Sequence, residues 1–170
     1  MNRDVLFSKV SDEWSTPQAT FDALNAEFGF DLDCAATRGN QKCPRWLGPG
    51  GVSPNALVVS WGQETTCWLN PPYSRVRAFM AKTAEEVRRG CTVVVLVPSR
   101  TDTRWWHDHV WDHRRHTLRS GVAVRFLPGR LKFGGATNGA PFPSVVLIFR
   151  PSPSHEDLHG ELLLSDTPKQ

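Results

Sequence analysis

The chain has 170 residues, 39% of them hydrophobic, with seven Trp, nine Phe and a formal net charge of +3. This length and composition predict one domain that can build its own core. No apolar run approaches the ~20 residues that cross a bilayer, and the N-terminus lacks the apolar stretch of a secretory signal. We therefore expect no membrane partner and a cytoplasmic location.

Charge is distributed unevenly along the chain. Residues 88–132 contain ten Arg or Lys against three Asp, whereas residues 1–72 contain five basic against eight acidic residues. A basic segment of this kind suits a phosphate-binding surface, although an ordinary solvated surface has the same composition. The four cysteines show no C-x-x-C pair, so four reduced thiols are expected.

The N-terminal part contains one clear helix signal. Residues 1–12 lack periodicity and are predicted to be a flexible arm. Ser15 and Thr16 before Pro17 are typical of a hydroxyl cap and a first helical turn, and an apolar stripe predicts a helix over 17–28.

The remaining elements alternate between strands and helices. A short strand is predicted over 30–36, and the Gly/Pro-rich residues 37–56 predict a long loop of the kind that is functional or mobile. Further strands are predicted over 57–60, 66–69, 91–97, 121–127, 130–133 and 144–149, helices over 76–89 and 103–115, and a flexible tail over 151–170. This order predicts an α/β fold with a mostly parallel sheet, whose ligands bind at the carboxyl ends of the strands.

The most informative motif is Asn70-Pro71-Pro72-Tyr73, placed between a predicted strand and a predicted helix. Two prolines make the loop stiff and remove two backbone donors, while Asn70 adds an amide acceptor and Tyr73 an aromatic ring. Two acceptors and a ring suit a planar amine, whose nitrogen they would polarise for attack. The alternative is a rigid surface turn.

This motif resembles the (D/N/S)PP(Y/F/W) motif of amino-group methyltransferases, and its surroundings resemble the phage-type DNA N-6-adenine methyltransferases. Matching pieces follow the family's order at 14–18, 32–36, 42–43, 61–62, 68–74, 98–103, 129–133 and 140–144. The resemblance implies a single-domain Rossmann-like methyltransferase fold over 13–150, mostly parallel with a closing antiparallel strand. It also implies S-adenosylmethionine as cofactor, DNA as substrate and, if a phage encodes the chain, the host cytoplasm as location.

Residue roles follow from the same resemblance. Asn70 and the Pro71 carbonyl, within the loop that Pro72 completes, would hold the target amino group, and Tyr73 would stack on the flipped base. The cofactor site would consist of Trp14, Thr16, Pro17, Asp33 and Ala35.

Two departures from the family pattern accompany the match. Cys34-Ala35-Ala36 follows Asp33 where many methyltransferases have Gly-x-Gly, and Ser60 stands before Trp61 where an acidic residue is expected. The predicted cofactor contacts therefore differ from the family pattern at both places.

The DNA-binding residues are predicted in the basic segment. Arg100 and Asp102 follow the strand predicted over 91–97, so they are candidates for contacts to a phosphate or base; helix capping is the alternative for Asp102. Arg130 and Lys132 are the other candidates. His109 and His113 have the i, i+4 spacing of a metal pair, but no H-E-x-x-H motif accompanies them, and no metal is predicted.

DNA would be bound as a duplex with the adenine flipped out or as a single strand. The sequence leaves the oligomeric state open. Methylation of RNA or of a protein glutamine, and a DNA-binding module without catalysis, are the alternative functions.

Overall fold

The computed structural model describes residues 15–135 and 138–152 and contains an α/β arrangement. The predicted arm at 1–12, Trp14 and most of the predicted tail lie outside the described residues. In chain order the elements are α1 (Gln18–Phe28), β1 (Leu32–Asp33), β2 (Thr66–Leu69), α2 (Val76–Arg88), β3 (Thr92–Pro98), α3 (Arg104–His109), β4 (Trp111–Asp112), β5 (Thr117–Leu118), β6 (Val122–Phe126) and β7 (Ser144–Phe149).

Five strands form one sheet in the order β1-β2-β3-β7-β6. β1, β2 and β3 are parallel, and β7 is antiparallel to both β3 and β6. Four strands therefore run in one direction, as the predicted mostly parallel sheet requires. The opposing strand, β7, is the last strand of the described residues, and it lies inside the sheet between β3 and β6.

The sheet is covered on both sides, which explains the unbroken apolar run of β3. On one side α2 and α3 pack Phe79, Met80 and Trp105 into a buried cluster. On the other side α1 contributes Phe21, which contacts Trp68 edge-on with ring centroids 5.6 Å apart. The four cysteines are buried free thiols.

The helix predicted over 103–115 is wrong beyond His109. Asp112 accepts backbone hydrogen bonds from Arg114 and Arg115, and this turn joins β4 to β5 as a two-stranded hairpin. Asp is favoured in such turns because its carboxylate accepts the backbone N–H groups of the residues that follow it. His109 and His113 therefore do not share a helical face.

Two predicted strands are also wrong. A turn over 56–58 replaces the strand predicted over 57–60. The Asn55 side chain accepts the N–H of Leu57 at 3.1 Å, and Val58 is 74% exposed. Residues 130–133 are irregular up to a short 3-10 turn, Phe133–Gly135. Local side-chain hydrogen bonding overrides the apolar pattern at 57–60.

β1 and β2 end side by side, so the loops after Asp33 and Leu69 meet at one end of the sheet, the carboxyl end. The opposite end, at which β3 and β6 begin, is the amino end. Within the described residues, no helix combines the length and apolarity that a membrane span requires.

Candidate active site

A cavity of about 400 Å³ opens at the carboxyl end of the sheet. Its walls come from the segment before α1, the loops after β1 and β2, and the first turn of α2. The residues that line it include Thr16, Asp33, Ala35, Leu47, Gly48, Ala56, Asn70, Pro72, Arg75 and Phe79. The cavity thus brings together one buried carboxylate, several amide and hydroxyl groups, and apolar walls.

Asp33 is the buried acidic group of this cavity, with 3% of its surface exposed. One carboxylate oxygen accepts the backbone N–H of Lys42 at 2.9 Å, and the other accepts that of Ala35 at 3.2 Å. Burial raises the pKa of Asp33 to about 6, and the two hydrogen bonds and the Lys42 charge oppose that rise only in part. The group therefore changes protonation state close to neutral pH.

Asn70 and Thr16, which both line the cavity, are joined by a hydrogen bond. Asn70 Nδ2 donates a hydrogen bond of 3.0 Å to Thr16 Oγ1. Thr16 is 4% exposed and makes no helix-capping bond; Pro17 occupies the N-cap of α1 instead. The predicted hydroxyl cap is therefore wrong, because the Thr16 hydroxyl bonds to the loop after β2.

The rest of that loop is held by packing. Pro71 is buried, and Pro72 and Tyr73 are half-buried. The Tyr73 ring meets Phe142 and Phe133 edge-on, with ring centroids 5.3 and 6.4 Å apart, and burial raises its pKa. Tyr73 therefore belongs to an aromatic group beside the cavity and does not line it.

Gly48 is a cavity residue that the sequence reasoning missed. Its φ is +138°, and a Cβ there would overlap the carbonyl oxygen of Ala36. The long loop after β1 therefore places Gly48 against the segment that follows Asp33, where Gly-x-Gly was expected. A glycine in a long Gly/Pro-rich loop gave no signal of this role.

Ser60, which stands where an acidic residue was expected, is bonded to a buried acid on α2. Glu86 on α2 is fully buried, and its carboxylate accepts the Trp61 N–H at 2.9 Å and the Ser60 hydroxyl at 3.4 Å. Trp61 in turn donates its indole N–H to the Ala56 carbonyl at 2.9 Å. Glu86 therefore anchors the segment that forms the Ala56 wall of the cavity.

The predicted DNA contacts lie on the surface. Arg100 and Asp102, 60% and 72% exposed, pair with each other at 3.3 Å. Arg130 is exposed and donates to the Ala140 carbonyl at 3.3 Å, and Lys132 is exposed. None of these four residues lines the cavity.

The chain is similar to known proteins over most of its length. Residues 5–159 match the profile of a family described as DNA N-6-adenine-methyltransferase (Dam). A DNA N-6-adenine-methyltransferase of Escherichia phage T1 is 35% identical over 154 residues, 83% of this chain and 63% of that protein. A protein of the same name from Haemophilus phage HP1 (strain HP1c1) is 28% identical over 156 residues, 89% of this chain and 87% of that protein. The chain therefore spans less than two thirds of the phage T1 protein.

Proposed function

This chain belongs to the DNA N-6-adenine-methyltransferase family, and from that premise we propose that it transfers a methyl group from S-adenosylmethionine to N6 of adenine in DNA. The observation that carries the proposal is that Thr16, Asp33 and Asn70, which come from three separate parts of the chain, line the same cavity.

The cavity fits the cofactor by volume and by chemistry. About 400 Å³ lies within the range of small-molecule sites. Asp33 would accept hydrogen bonds from the hydroxyl or ammonium donors of S-adenosylmethionine, beside Ala35 and Gly48. Leu47, Ala56 and Phe79 line the same cavity and would offer apolar surface to its purine ring. When bound, the cofactor supplies an electrophilic methyl group on a sulfonium.

The residues around Asn70 would orient the target amine. Thr16 holds the Asn70 nitrogen, so the Asn70 amide oxygen has a fixed orientation as an acceptor for an N6 hydrogen. The Pro71 carbonyl would accept the other hydrogen, and Tyr73 would stack on the base. Pulling on both hydrogens frees the nitrogen lone pair, so these residues act by orientation and polarisation.

The base must leave its stack to reach this site, so the DNA would be a duplex with a flipped adenine or a single strand. Residues 13–150 would form the methyltransferase domain with a Rossmann-like fold, acting in the cytoplasm. Arg100, Asp102, Arg130 and Lys132 are the proposed DNA contacts, and Trp14 and Pro17 would complete the cofactor site.

The test is incubation of the protein with methyl-labelled S-adenosylmethionine and, separately, DNA, RNA and protein. Label in DNA, released as N6-methyladenine and identified by mass, is the expected result. Label in RNA or glutamine instead would replace the proposed substrate, and DNA binding without transfer would favour the binding-module alternative.

A further inference from the structure

The basic residues of segment 88–132 do not form one surface. Arg88 precedes the start of β3, and Arg119 precedes the start of β6, so both lie at the amino end of the sheet. Arg100 and Arg130 follow the last residues of the same two strands, so they lie at the carboxyl end of the sheet. The segment therefore carries two separate basic groups, only one of them beside the methyl-transfer cavity.

A cleft of about 700 Å³ lies at the amino end. Val87, Val122 and Phe149 give it an apolar floor, and Arg88, His109 and Arg119 line it. Asp108 and Ser120 line it as well, and the Asp108 carboxylate lies 3.6 Å from Nε of Arg104. Burial and the charges of Arg119 and Arg88 lower the pKa of His109 against the opposing charge of Asp108. The permanent positive charge of the cleft is that of its arginines.

Three of the arginines at this end are available for an anion. Within residues 15–135 and 138–152, no carboxylate lies within 4.0 Å of the guanidinium groups of Arg88, Arg114 or Arg119. Arg119 donates from Nε and Nη2 to the His107 carbonyl at 3.2 and 2.8 Å, which fixes its orientation. A fixed guanidinium loses less entropy when it binds a phosphate.

The hairpin of β4 and β5 extends this surface. Its tip, residues 113–116, is exposed and has the sequence His-Arg-Arg-His. Arg114 donates its backbone N–H to Asp112, and Arg115, which is 83% exposed, has its Nε 3.9 Å from the Asp112 carboxylate. The Arg119 N–H binds the Val110 carbonyl at 2.9 Å, which holds the hairpin beside the cleft.

We propose that the cleft and the hairpin tip form a second contact for the DNA backbone, with phosphodiesters on Arg88, Arg114 and Arg119. The choice of DNA as ligand rests on the proposed function, but the contact uses no residue of the methyl-transfer cavity. The seven residues of β3 separate the two ends by about 23 Å. That distance corresponds to about seven base pairs, so only DNA that extends this far from the target base reaches the second contact.

The test compares a duplex with about four base pairs on each side of the adenine with one that has about fifteen, well beyond the reach of ~23 Å. Wild-type protein is expected to bind the longer duplex more tightly. The double variant Arg88→Ala and Arg119→Ala should weaken that binding about tenfold at low salt and flatten its log–log salt slope by about 1.8. Binding of the shorter duplex and of S-adenosylmethionine should not change.

Two further double variants test the charge and the hairpin tip separately. The double variant Arg88→Lys and Arg119→Lys retains the charge and should keep the wild-type salt slope. The double variant Arg114→Ala and Arg115→Ala changes only the exposed tip, and it should weaken binding of the longer duplex but not of the shorter one. Wild-type affinity and slope for both alanine variants on the longer duplex would overturn the proposal. Failure of methyl transfer with these length and salt effects intact would overturn the proposed function alone.

Discussion

Asn70 Nδ2 donates a hydrogen bond of 3.0 Å to Oγ1 of Thr16, a residue 54 positions earlier in the chain. The bond ties the loop after β2 to the segment before α1, and it determines which side of the Asn70 amide presents nitrogen. The orientation of the proposed amine acceptor thus depends on a hydroxyl from a different part of the sequence.

Replacing Thr16 by Val should reduce turnover while the fold is kept. Val has nearly the same shape but no acceptor, so the Asn70 amide loses one neutral hydrogen bond, about 1 kcal/mol. We expect turnover to fall about fivefold. Single-turnover methylation of duplex DNA, with Thr16→Ser as control, measures the effect; an equal loss in Thr16→Ser would assign it to packing.

The pair also predicts how Asn70→Asp behaves. A carboxylate has no N–H to donate, but the Thr16 hydroxyl can reverse its role and donate to it. Asn70→Asp should therefore retain part of the activity in a Thr16 background and lose it when combined with Thr16→Val. Additive effects of the two changes in a double-mutant cycle would show that the residues are not coupled.

The sequence predicted the parts of the site that depend on local pattern. The apolar runs at 66–69 and 144–149 became β2 and β7 with the predicted bounds, and parallel pairing brings the ends of β1 and β2 together. The Thr16 bond, the Gly48 contact and the Glu86 anchor are long-range contacts, and none leaves a periodic signal. Hydroxyl, glycine and carboxylate residues each have an ordinary local use, so their partners were visible only in the fold.

The buried Asp33 predicts opposite pH dependences for cofactor binding and for stability. If the carboxylate form binds S-adenosylmethionine, affinity should fall about tenfold per pH unit below a pKa of about 6. The folded state holds this proton more tightly than the unfolded chain, so the free energy of unfolding should decrease as pH rises from about 4 to 6. Calorimetry and urea titrations at several pH values measure the two trends.

Asp33→Asn is the matched variant, because it keeps the shape and removes the titration. It should weaken the cofactor at least about tenfold at neutral pH, as expected for a lost charged hydrogen bond. Cofactor affinity should become flat between pH 4 and 6, and the decrease in the free energy of unfolding that Asp33 causes over this range should be lost. A wild-type pH profile in this variant would assign the titration to another group.

Gly48→Ala should destabilise the loop around the cavity. The added methyl group meets the Ala36 carbonyl, and φ at +138° is unfavourable for Ala. We expect a loss of about 2 kcal/mol or more in the free energy of unfolding, together with weaker cofactor binding. Gly39→Ala is the control, because Gly39 also has a positive φ, +111°, but open space around it. Equal losses at both positions would remove the steric explanation.

Glu86→Gln should be strongly destabilising, although Glu and Gln have nearly the same shape. Lys82, 7% exposed, lies 2.7 Å from the Glu86 carboxylate, and it would remain buried with its main counter-charge removed. Such a change typically costs about 3–5 kcal/mol. Glu85→Gln removes a partner of Lys82 that is 41% exposed and should cost less than about 1 kcal/mol. Denaturant unfolding of both variants gives the comparison, which fails if the two losses are alike.

The catalytic proposal itself predicts different kinetic effects for Asn70 and Tyr73. Asn70→Ala removes an acceptor whose bond strengthens as the amine becomes tetrahedral, so turnover should fall about a thousandfold with cofactor affinity nearly unchanged. Tyr73→Ala removes a ring that stacks on the base before and during transfer. Stacking is worth ~1–3 kcal/mol per base, so this variant should mainly weaken productive DNA binding.

Tyr73→Phe separates stacking from local collapse, because it keeps the ring that packs against Phe133 and Phe142. It should bind DNA and methylate nearly as the wild type does, whereas Tyr73→Ala should require more DNA for half-maximal rate. The decisive measurement is single-turnover methylation of adenine-containing duplex DNA by each variant, at saturating cofactor and over a range of DNA concentrations. Because the Asn70 contact is made chiefly in the transition state, raising the DNA concentration should restore Tyr73→Ala but not Asn70→Ala. A wild-type rate for Asn70→Ala would show that methyl transfer does not take place at this loop.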